Sequence, residues 1–445
     1  MSRLFGTDGV RGVANEELTP QLAYKLGLYS GKIFKKKNDK GILVGQDTRL
    51  SGEMLKSALA SGFMAAGLDV IDLGVISTPA VAYLVKENKY SGGAVISASH
   101  NPFEYNGIKL FDELGFKLTD EEEDEIERMI KEDREVILET HDKIGILKEG
   151  KNLVRDYEDY LIHLGRDLKG LKIALDCGNG AVFEMAPRVF EEMGVEVISI
   201  NTNPNGLNIN DNCGSTNPEL VSQLVKETGA DLGFSFDGDA DRIIAADEKG
   251  NFIDGDHMLA IFAKSLVKKG ELKNNTVVGT VMTNMGLDVY LESIGAKVIK
   301  AAVGDRYVLE EMLKDGHVVG GEQSGHIIFL EHNTTGDGIA TGIHLANAIR
   351  DLGKLPSELN DLMKNYPQIL INAQVENSKK YKYMKNEKVK NEIEKIEHEF
   401  GKTGRVVIRP SGTEPLVRVM IEGENQEEIT QVATELANII EEELK

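Results

Sequence analysis

Three segments of the chain repeat the same alternation of short apolar strands and amphipathic helices. Each segment runs strand, helix, strand, helix, strand, and the first strands begin at Ile42, Lys172 and Val277. Strands that alternate with helices form parallel sheets, because each helix carries the chain back to the start of the next strand. The repeat therefore predicts three similar α/β domains of βαβαβ type.

The third strand of each segment ends in a polar, glycine-rich loop. The loops are SASHNP from Ser97, DGDADR from Asp237 and GEQSGH from Gly321. Open α/β sheets bind ligands at the carboxyl ends of their strands. Because the three loops occupy the same structural point, we expect one cleft to collect all of them.

The length of 445 residues is sufficient for three or four domains. The acidic, lysine-rich stretch 119–148 is interpreted as a connection out of the first segment rather than a core element. After Leu352 the pattern changes to that of a smaller α+β domain. We predict domains at residues 1–150, 151–255, 256–368 and 369–445, the last one lid-like.

Charge and composition narrow the classes of partner. The formal net charge of −22 disfavours nucleic acid and anionic membranes as partners, because both require a basic surface. No apolar run approaches the roughly 20 residues of a membrane span. Two cysteines, Cys177 and Cys213, and an amino terminus without an apolar leader predict a cytoplasmic protein. An anionic small-molecule substrate would need locally placed cations.

The DGDADR loop places Asp237, Asp239 and Asp241 at alternate positions. Three carboxylates converge only when a hard cation neutralises their repulsion, so a Mg²⁺ site is predicted. An EF-hand is the competing metal site, but Arg242 stands where its turn requires glycine, and a strand precedes the loop. A solvated acidic turn is the other alternative.

The SASHNP loop places Ser97, Ser99 and His100 just before Asn101-Pro102, where proline ends the strand and sets an exposed turn. By itself this is a weak signal, since serine-rich turns are common. Beside an acidic metal loop, a phosphorylated serine would complete the metal shell and donate its phosphoryl group.

The RPSGTEP segment of the last domain joins Arg409 to Ser411, Gly412 and Thr413, and Arg418 follows on the next strand. Guanidinium groups, hydroxyls and free backbone N–H groups at a glycine make a phosphate cradle. The alternative is a β-turn that uses Pro410 and Gly412.

The remaining two polar segments are less specific. GEQSGH offers Glu322, Ser324 and His326 to sugar hydroxyls, although a glycine-rich turn explains it equally well. At the amino terminus, FGTDGVRG supplies Thr7 and Arg11 as further candidates. The alternative is that this segment is a tight turn that carries a surface arginine.

Taken in order, FGTDGVRG, SASHNP with NGIKLF, FDGDADR, GEQSGH and RPSGTEP resemble the α-D-phosphohexomutase superfamily over essentially the whole chain. Ala240 stands where many relatives have glycine, which leaves the three carboxylates intact. The resemblance implies a heart-shaped isomerase of four domains around a central cleft.

The same resemblance implies residue roles. Ser99 would be the phosphorylated residue, and its phosphate would hold one Mg²⁺ per active site together with Asp237, Asp239 and Asp241. The groups around the reacting phosphate would be Arg11, His100, Lys109 and Arg242, with Lys109 as candidate general base and His100 as its rival. The substrate-binding residues would be Glu322, Ser324, Arg409, Ser411, Gly412, Thr413 and Arg418.

The implied reaction moves a phosphoryl group within one hexose, through a hexose bisphosphate that acts as intermediate or activator. FGTDGVRG, VGDRYV and Gln323 are similar to the branch that interconverts glucosamine 6-phosphate and glucosamine 1-phosphate for amino-sugar nucleotide synthesis. The same-class alternative is the branch for mannose and glucose phosphates, whose members usually have Met at the position of Gln323.

Two alternatives come from other classes. A metal-dependent phosphohydrolase would release inorganic phosphate, and a non-catalytic sugar-phosphate-binding protein would never carry phosphate on Ser99. The sequence leaves open a monomer or a homodimer, and either a kinase or a bisphosphate donor that first phosphorylates Ser99.

Overall fold

The computed structural model describes residues 3–6, 8–401, 403–411 and 414–444. The chain forms two compact units. The first contains Met1–Thr280 and Ala296–Leu362, and the second contains Val281–Gly295 and Met363–Lys445. Within the described ranges, no helix is both long and apolar enough to cross a bilayer.

The first sheet has six strands. Its elements are β1 Val10–Val13, α1 Pro20–Lys37, β2 Ile42–Gln46, α2 Gly52–Ala66, β3 Val70–Val75, α3 Thr78–Asn88, β4 Gly92–Ile96, β5 Tyr105–Phe111, α4 Asp120–Lys131 and β6 Leu147–Glu149. The strand order is β1-β5-β4-β2-β3-β6. Strands β2, β3, β4 and β6 are parallel, and β5 runs antiparallel to β4.

The second sheet follows helix α5, Lys151–Leu164. Its elements are β7 Lys172–Asp176, α6 Met185–Glu192, β8 Glu196–Ile200, α7 Glu219–Thr228, β9 Leu232–Phe236, β10 Ile243–Ala246 and β11 Phe252–Ile253, in the order β11-β10-β9-β7-β8. Strands β7, β8 and β9 are parallel, and β10 runs antiparallel to β9.

The third sheet has four strands. Its elements are α8 Gly255–Lys269, β12 Thr276–Thr280, α9 Met285–Ser293, β13 Lys297–Ala301, α10 Asp305–Asp315, β14 Val319–Gly321, β15 Ile327–Phe329, α11 Gly338–Leu352 and α12 Pro356–Asn360. Its order is β13-β12-β14-β15, and β15 runs antiparallel to β14.

The second unit carries the fourth sheet. Its elements are β16 Gln368–Gln374, α13 Glu387–Phe400, β17 Gly404–Pro410, β18 Leu416–Gly423 and α14 Gln426–Glu443, and the sheet is antiparallel in the order β16-β18-β17. Helix α9 belongs to this unit as well. Its first turn is tied by the Met285 N–H, which donates to Glu422, and by the Asn284 amide, which donates to the Tyr366 carbonyl.

The predicted fold class is confirmed: three α/β sheets precede a smaller α+β sheet. The structure adds an antiparallel strand directly after each third strand. SASHNP therefore connects β4 to β5, DGDADR connects β9 to β10, and GEQSGH connects β14 to β15. Each polar loop is a hairpin at the carboxyl end of a strand. The predicted domain boundaries after residues 150, 255 and 368 stay predictions.

The interpretation of 119–148 as a connection outside the core is wrong. Helix α4 begins with a capping box between Thr119 and Glu122, and its Ile126 and Met129 are buried in the core of the first sheet together with Leu26 of α1. Several of its charged side chains are exposed, but Glu123 and Glu127 are buried beside Ile126 and Met129, so the helix docks through this mixed face. The segment closes with β6, which pairs with β3 at the edge of the sheet.

Helices α1 and α2 pack with their backbones unusually close together. A Cβ added at Gly27 would lie 2.1 Å from the carbonyl oxygen of Leu59, and one added at Gly62 would lie 2.2 Å from that of Tyr24. Glycine is therefore required at both positions, because any side chain would push the helices apart.

We expect Gly62→Ala to destabilise the protein by about 1–3 kcal/mol, although alanine favours a helix more than glycine does. The clash with a backbone oxygen cannot be relieved by rotating a side chain. Thermal unfolding followed by circular dichroism measures the effect, with Ser61→Ala on the same helix as the matched control. Equal melting temperatures for the two variants would contradict the close packing.

Candidate active site

The β9–β10 hairpin buries three carboxylates at one point. Asp237, Asp239 and Asp241 are 0%, 0% and 4% exposed, and one oxygen from each lies within 4.8 Å of the others. The loop turns at Ala240, whose φ of 55° is the left-handed conformation that glycine adopts most easily.

Ser99 lies directly against this cluster. Its hydroxyl donates to Asp237 Oδ2 at 2.6 Å, and its own backbone N–H donates to Ser97 Oγ at 2.9 Å. The residue has a φ of 54° and is 1% exposed. The structure thus brings the predicted serine and the predicted metal loop into direct contact.

Lys109 supplies the nearest positive charge to the carboxylates. It comes from β5, the strand that follows the serine loop, and its Nζ lies 2.7 Å from Asp239, 3.1 Å from Asp241 and 3.0 Å from Asp8. Burial lowers the pKa of Lys109, but these three carboxylates outweigh burial and raise the pKa well above its usual value. Lys109 is therefore a firmly charged counter-ion.

The three aspartates are not electrostatically equivalent. Burial, followed by the charges of Asp241 and Asp239, raises the pKa of Asp237 well above its usual range. Burial acts on Asp241 in the same direction, but the charge of Lys109 and other nearby basic groups lowers its pKa overall. Ionisation is therefore opposed at Asp237 and favoured at Asp241, which lies beside Lys109.

The structure fits a hard cation at this cluster. Among the buried side-chain atoms of the described residues, Asp239 Oδ1 and Asp241 Oδ1 accept no hydrogen bond. Buried carboxylate oxygens without partners are costly unless a cation binds them. Oxygen ligands of this kind suit Mg²⁺. The residues that would hold it are Asp237, Asp239, Asp241 and Ser99.

His100 lies on the other side of Ser99. Its Nδ1 is 3.3 Å from Ser99 Oγ and accepts a hydrogen bond from Arg242 Nη1 at 3.1 Å. Since a guanidinium only donates, this nitrogen carries no proton. Burial, then the charges of Arg242 and Arg11, lowers the pKa of His100 to about 4. His100 is therefore neutral at physiological pH.

Asp8 is a site residue that sequence reasoning missed. It pairs with Arg11, with Lys109 at 3.0 Å, and with Lys117 Nζ at 2.6 Å. Lys117 also contacts Asp305 at 2.5 Å. The signal was present, because Asp8 lies in FGTDGVRG and Asp305 in VGDRYV, but nothing in the sequence showed that they share one lysine. Thr7 lies outside the described residues.

The polar side chains of the GEQSGH hairpin differ in their exposure and in their hydrogen-bond partners. Ser324 is exposed, and Glu322 is half-buried with its Oε1 accepting from the Gly304 N–H at 3.0 Å. The Gln323 amide donates to Asp254 Oδ2 at 3.2 Å, and Asp254 also contacts His257. Ser324 and the half-buried Glu322 are therefore accessible to a ligand, whereas the Gln323 side chain is directed at Asp254.

In the second unit, Arg409 and Arg418 stand directly opposite each other on β17 and β18. Burial and the charge of Arg418 lower the pKa of Arg409. Like charges opposite each other on antiparallel strands repel, so the pair is stabilised by anions, of which Glu414, 3.0 Å from Arg418 Nη2, is one. Within the described residues, Arg418 Nε has no hydrogen-bond partner.

Ser411 follows Arg409 and is 4% exposed. Its hydroxyl accepts from the Glu414 N–H at 3.1 Å, and its carbonyl accepts from Lys380, a second cation that the sequence did not suggest. Gly412 and Thr413, predicted to line the same cradle, lie outside the described residues. Arg409, Ser411 and Arg418 are thus brought together at one turn.

Four phosphoglucomutase/phosphomannomutase domain families match the chain. Alpha/beta/alpha domains I, II and III match residues 2–136, 157–250 and 254–366, and the C-terminal domain matches residues 370–439. Among solved structures, a phosphoglucomutase/phosphomannomutase family protein of Burkholderia thailandensis covers 98% of both chains with a TM-score of 0.83 at 23% identity. Aspergillus fumigatus N-acetylphosphoglucosamine mutase, solved with GlcNAc-6P and magnesium, has a TM-score of 0.68 at 18% identity and covers 99% of this chain and 96% of its own.

Curated relatives match at much higher identity. The phosphoglucosamine mutase of Alkaliphilus oremlandii is 53% identical over 448 residues, and that of Alkaliphilus metalliredigens is 54% identical over 447 residues. Both alignments cover 100% of this chain and 100% of the relative. The chain belongs to the phosphoglucosamine mutase family of the α-D-phosphohexomutases.

Proposed function

We propose that this isomerase interconverts glucosamine 6-phosphate and glucosamine 1-phosphate through a phosphorylated Ser99. The observation that carries the proposal is the contact of Ser99 Oγ with Asp237 at 2.6 Å, inside a buried cluster of three aspartates. Full-length relatives named phosphoglucosamine mutase support the substrate. The product supplies amino-sugar nucleotide synthesis.

Mg²⁺ is the proposed metal, held by Asp237, Asp239, Asp241 and the phosphate on Ser99. The unpartnered oxygens of Asp239 and Asp241 support this assignment, and a structural relative was solved with magnesium. When bound, the ion neutralises charge that develops on the transferring phosphoryl group.

The chain's own residues carry out the transfer in two steps. Ser99 gives its phosphoryl group to the free hydroxyl of the sugar monophosphate, and the serine oxygen takes back a proton. The resulting hexose bisphosphate turns over and returns its other phosphate to Ser99, which regenerates the enzyme. Arg409, Ser411, Gly412, Thr413 and Arg418 would hold whichever phosphate is not reacting. Glu322 and Ser324 would hold sugar hydroxyls.

We assign Lys109 and Arg11 to charge neutralisation rather than proton transfer. Lys109 is surrounded by Asp8, Asp239 and Asp241 within 3.1 Å, and Arg11 is paired with Asp8. A lysine in that setting retains its proton. His100, the rival candidate for proton transfer, has its Nδ1 3.3 Å from Ser99 Oγ, where this nitrogen accepts from Arg242. Arg242 orients this imidazole.

Ser99→Ala should lower turnover at least about a hundredfold, because the phosphoryl carrier is lost. The wild-type protein should carry one phosphate on Ser99 by peptide mass spectrometry. Ser91→Ala is the matched control, since Ser91 precedes the same strand β4 at its opposite end. Near-normal turnover of Ser99→Ala would refute the mechanism.

Asp239→Asn should weaken Mg²⁺ binding and reduce turnover sharply, because one negative charge leaves the shared shell. A Mg²⁺ titration of activity and of the heat of binding measures both effects. Asp231→Asn, at the opposite end of β9, should behave like wild type. Activity that survives exhaustive chelation would contradict the metal assignment.

Glucosamine 6-phosphate should be preferred over glucose 6-phosphate and mannose 6-phosphate by at least about tenfold in kcat/KM, which is roughly 1.4 kcal/mol of transition-state binding. Glu322 and Ser324 would contact hydroxyls that all three sugars share, so discrimination must come from the C2 substituent. In a chain of net charge −22, a cationic amine is favoured there. Equal efficiency would leave the chemistry intact and remove the substrate assignment.

A further inference from the structure

Arg49 is a buried arginine whose five N–H donors are directed at the loop that carries Ser99 and at the side chain of Asp47. It follows β2 in the segment QDTRLSG, and its side chain is 0% exposed. A guanidinium has five donors in a fixed planar arrangement and no acceptor. A residue of this kind is retained in a protein interior only when every donor is satisfied.

The acceptors of Arg49 are backbone carbonyls of the Ser99 loop. Arg49 Nη2 donates to the carbonyls of Ser99 at 2.9 Å and Asn101 at 2.8 Å. Arg49 Nη1 donates to the carbonyls of Pro102 and Tyr105, the latter at 3.0 Å. One side chain therefore holds four carbonyls across the turn that presents the Ser99 hydroxyl.

Asp47 completes the network from the opposite side. It accepts from Arg49 Nε at 2.8 Å and from Ser97 Oγ at 2.6 Å, and Ser97 Oγ in turn accepts from the Ser99 N–H. Both backbone polar groups of Ser99 are thus fixed through the Asp47–Arg49 pair. A left-handed φ of 54° is unfavourable for a residue with a Cβ, so it needs restraint of this kind.

Two residues from loops of the second sheet also contact the Ser99 loop. The Asn210 amide donates to the same two carbonyls, Ser99 at 2.9 Å and Asn101 at 3.1 Å. A Cβ added at Gly238 would lie 2.5 Å from the Ser99 carbonyl oxygen, so the metal loop itself packs against this group. The Ser99 carbonyl is therefore enclosed by Arg49, Asn210 and Gly238.

We propose that Arg49 is a positioning residue for phosphoryl transfer, which fixes the backbone of Ser99 so that its oxygen stands at the aspartate cluster. The proposal rests on the role proposed for Ser99 above. Arg49 touches neither the Ser99 hydroxyl nor the three clustered aspartates, and it acts on Ser99 through the backbone alone. A lysine cannot replace it, because three donors on a flexible stem cannot span four carbonyls and Asp47.

The test compares Arg49→Lys with Arg155→Lys, which alters an exposed arginine on α5. Each protein is phosphorylated with glucose 1,6-bisphosphate, and occupancy of Ser99 is determined by mass spectrometry. The phosphoenzyme is then mixed with glucosamine 6-phosphate and Mg²⁺ in a quenched-flow instrument. Loss of phosphoserine is followed in a single turnover.

We expect the rate constant for transfer to fall at least about 30-fold in Arg49→Lys and to be unchanged in Arg155→Lys, since small misplacements of reacting atoms cost this much. A merely structural role would reduce the amplitude, through a lower folded fraction, and leave the rate constant at the wild-type value. That result would overturn the proposal. A folded Arg49→Lys protein that takes up no phosphate at Ser99, while the control does, supports it, because uptake is the reverse step.

If circular dichroism shows that Arg49→Lys does not fold, a second variant tests the proposal. Asn210→Ala removes the other donor to the same two carbonyls, and its transfer rate constant should fall at least about threefold. An unchanged rate constant in Asn210→Ala would then overturn the proposal. A wild-type protein without phosphate on Ser99 would overturn the proposed function as well, whereas a normal rate in phosphorylated Arg49→Lys overturns only the positioning role.

Discussion

Three aspartates buried within 4.8 Å of one another form the arrangement on which the rest of the first unit depends. Their mutual repulsion in a region of low dielectric must be offset by cations. Lys109 from the first sheet and Arg242 from the second provide two of them, and the unpartnered oxygens leave a place for a third. The ion pairs that offset this repulsion also hold the surrounding loops in place.

Charge alternates along a chain of contacts that leaves this cluster. Lys109 bridges the aspartates to Asp8, Asp8 bridges Lys109 to Lys117, and Lys117 reaches Asp305 at the start of α10. Each partner is largely or fully buried against the next, so removal of one would leave another buried charge unpaired. Groups from the first and third sheets are thereby held in one network within the first unit.

The sequence pointed to the candidate reactive groups of the site more readily than to the residues that hold those groups in place. Asp237, Asp239 and Asp241 were singled out by their alternate spacing, whereas Ser99 in a serine-rich turn was a weak signal until it was combined with the acidic loop. Asp8 and Arg49 were not recognised, since a single charged residue in a turn carries no pattern that identifies its partner. Helix α4 was misread for a related reason: its high charge concealed two apolar positions that are enough to bury one face.

The sequence by itself determined the three α/β repeats and the polar loop at the end of each third strand, because periodicity and motif spacing are local properties. Only the tertiary structure decided that each loop is a hairpin, that Lys109 is enclosed by three carboxylates and that Arg49 holds the Ser99 backbone. The last two depend on contacts between residues from 50 to more than 100 positions apart, Arg49 with Ser99 and Lys109 with Asp239. Such contacts arise from the packing of whole sheets, which no local pattern encodes.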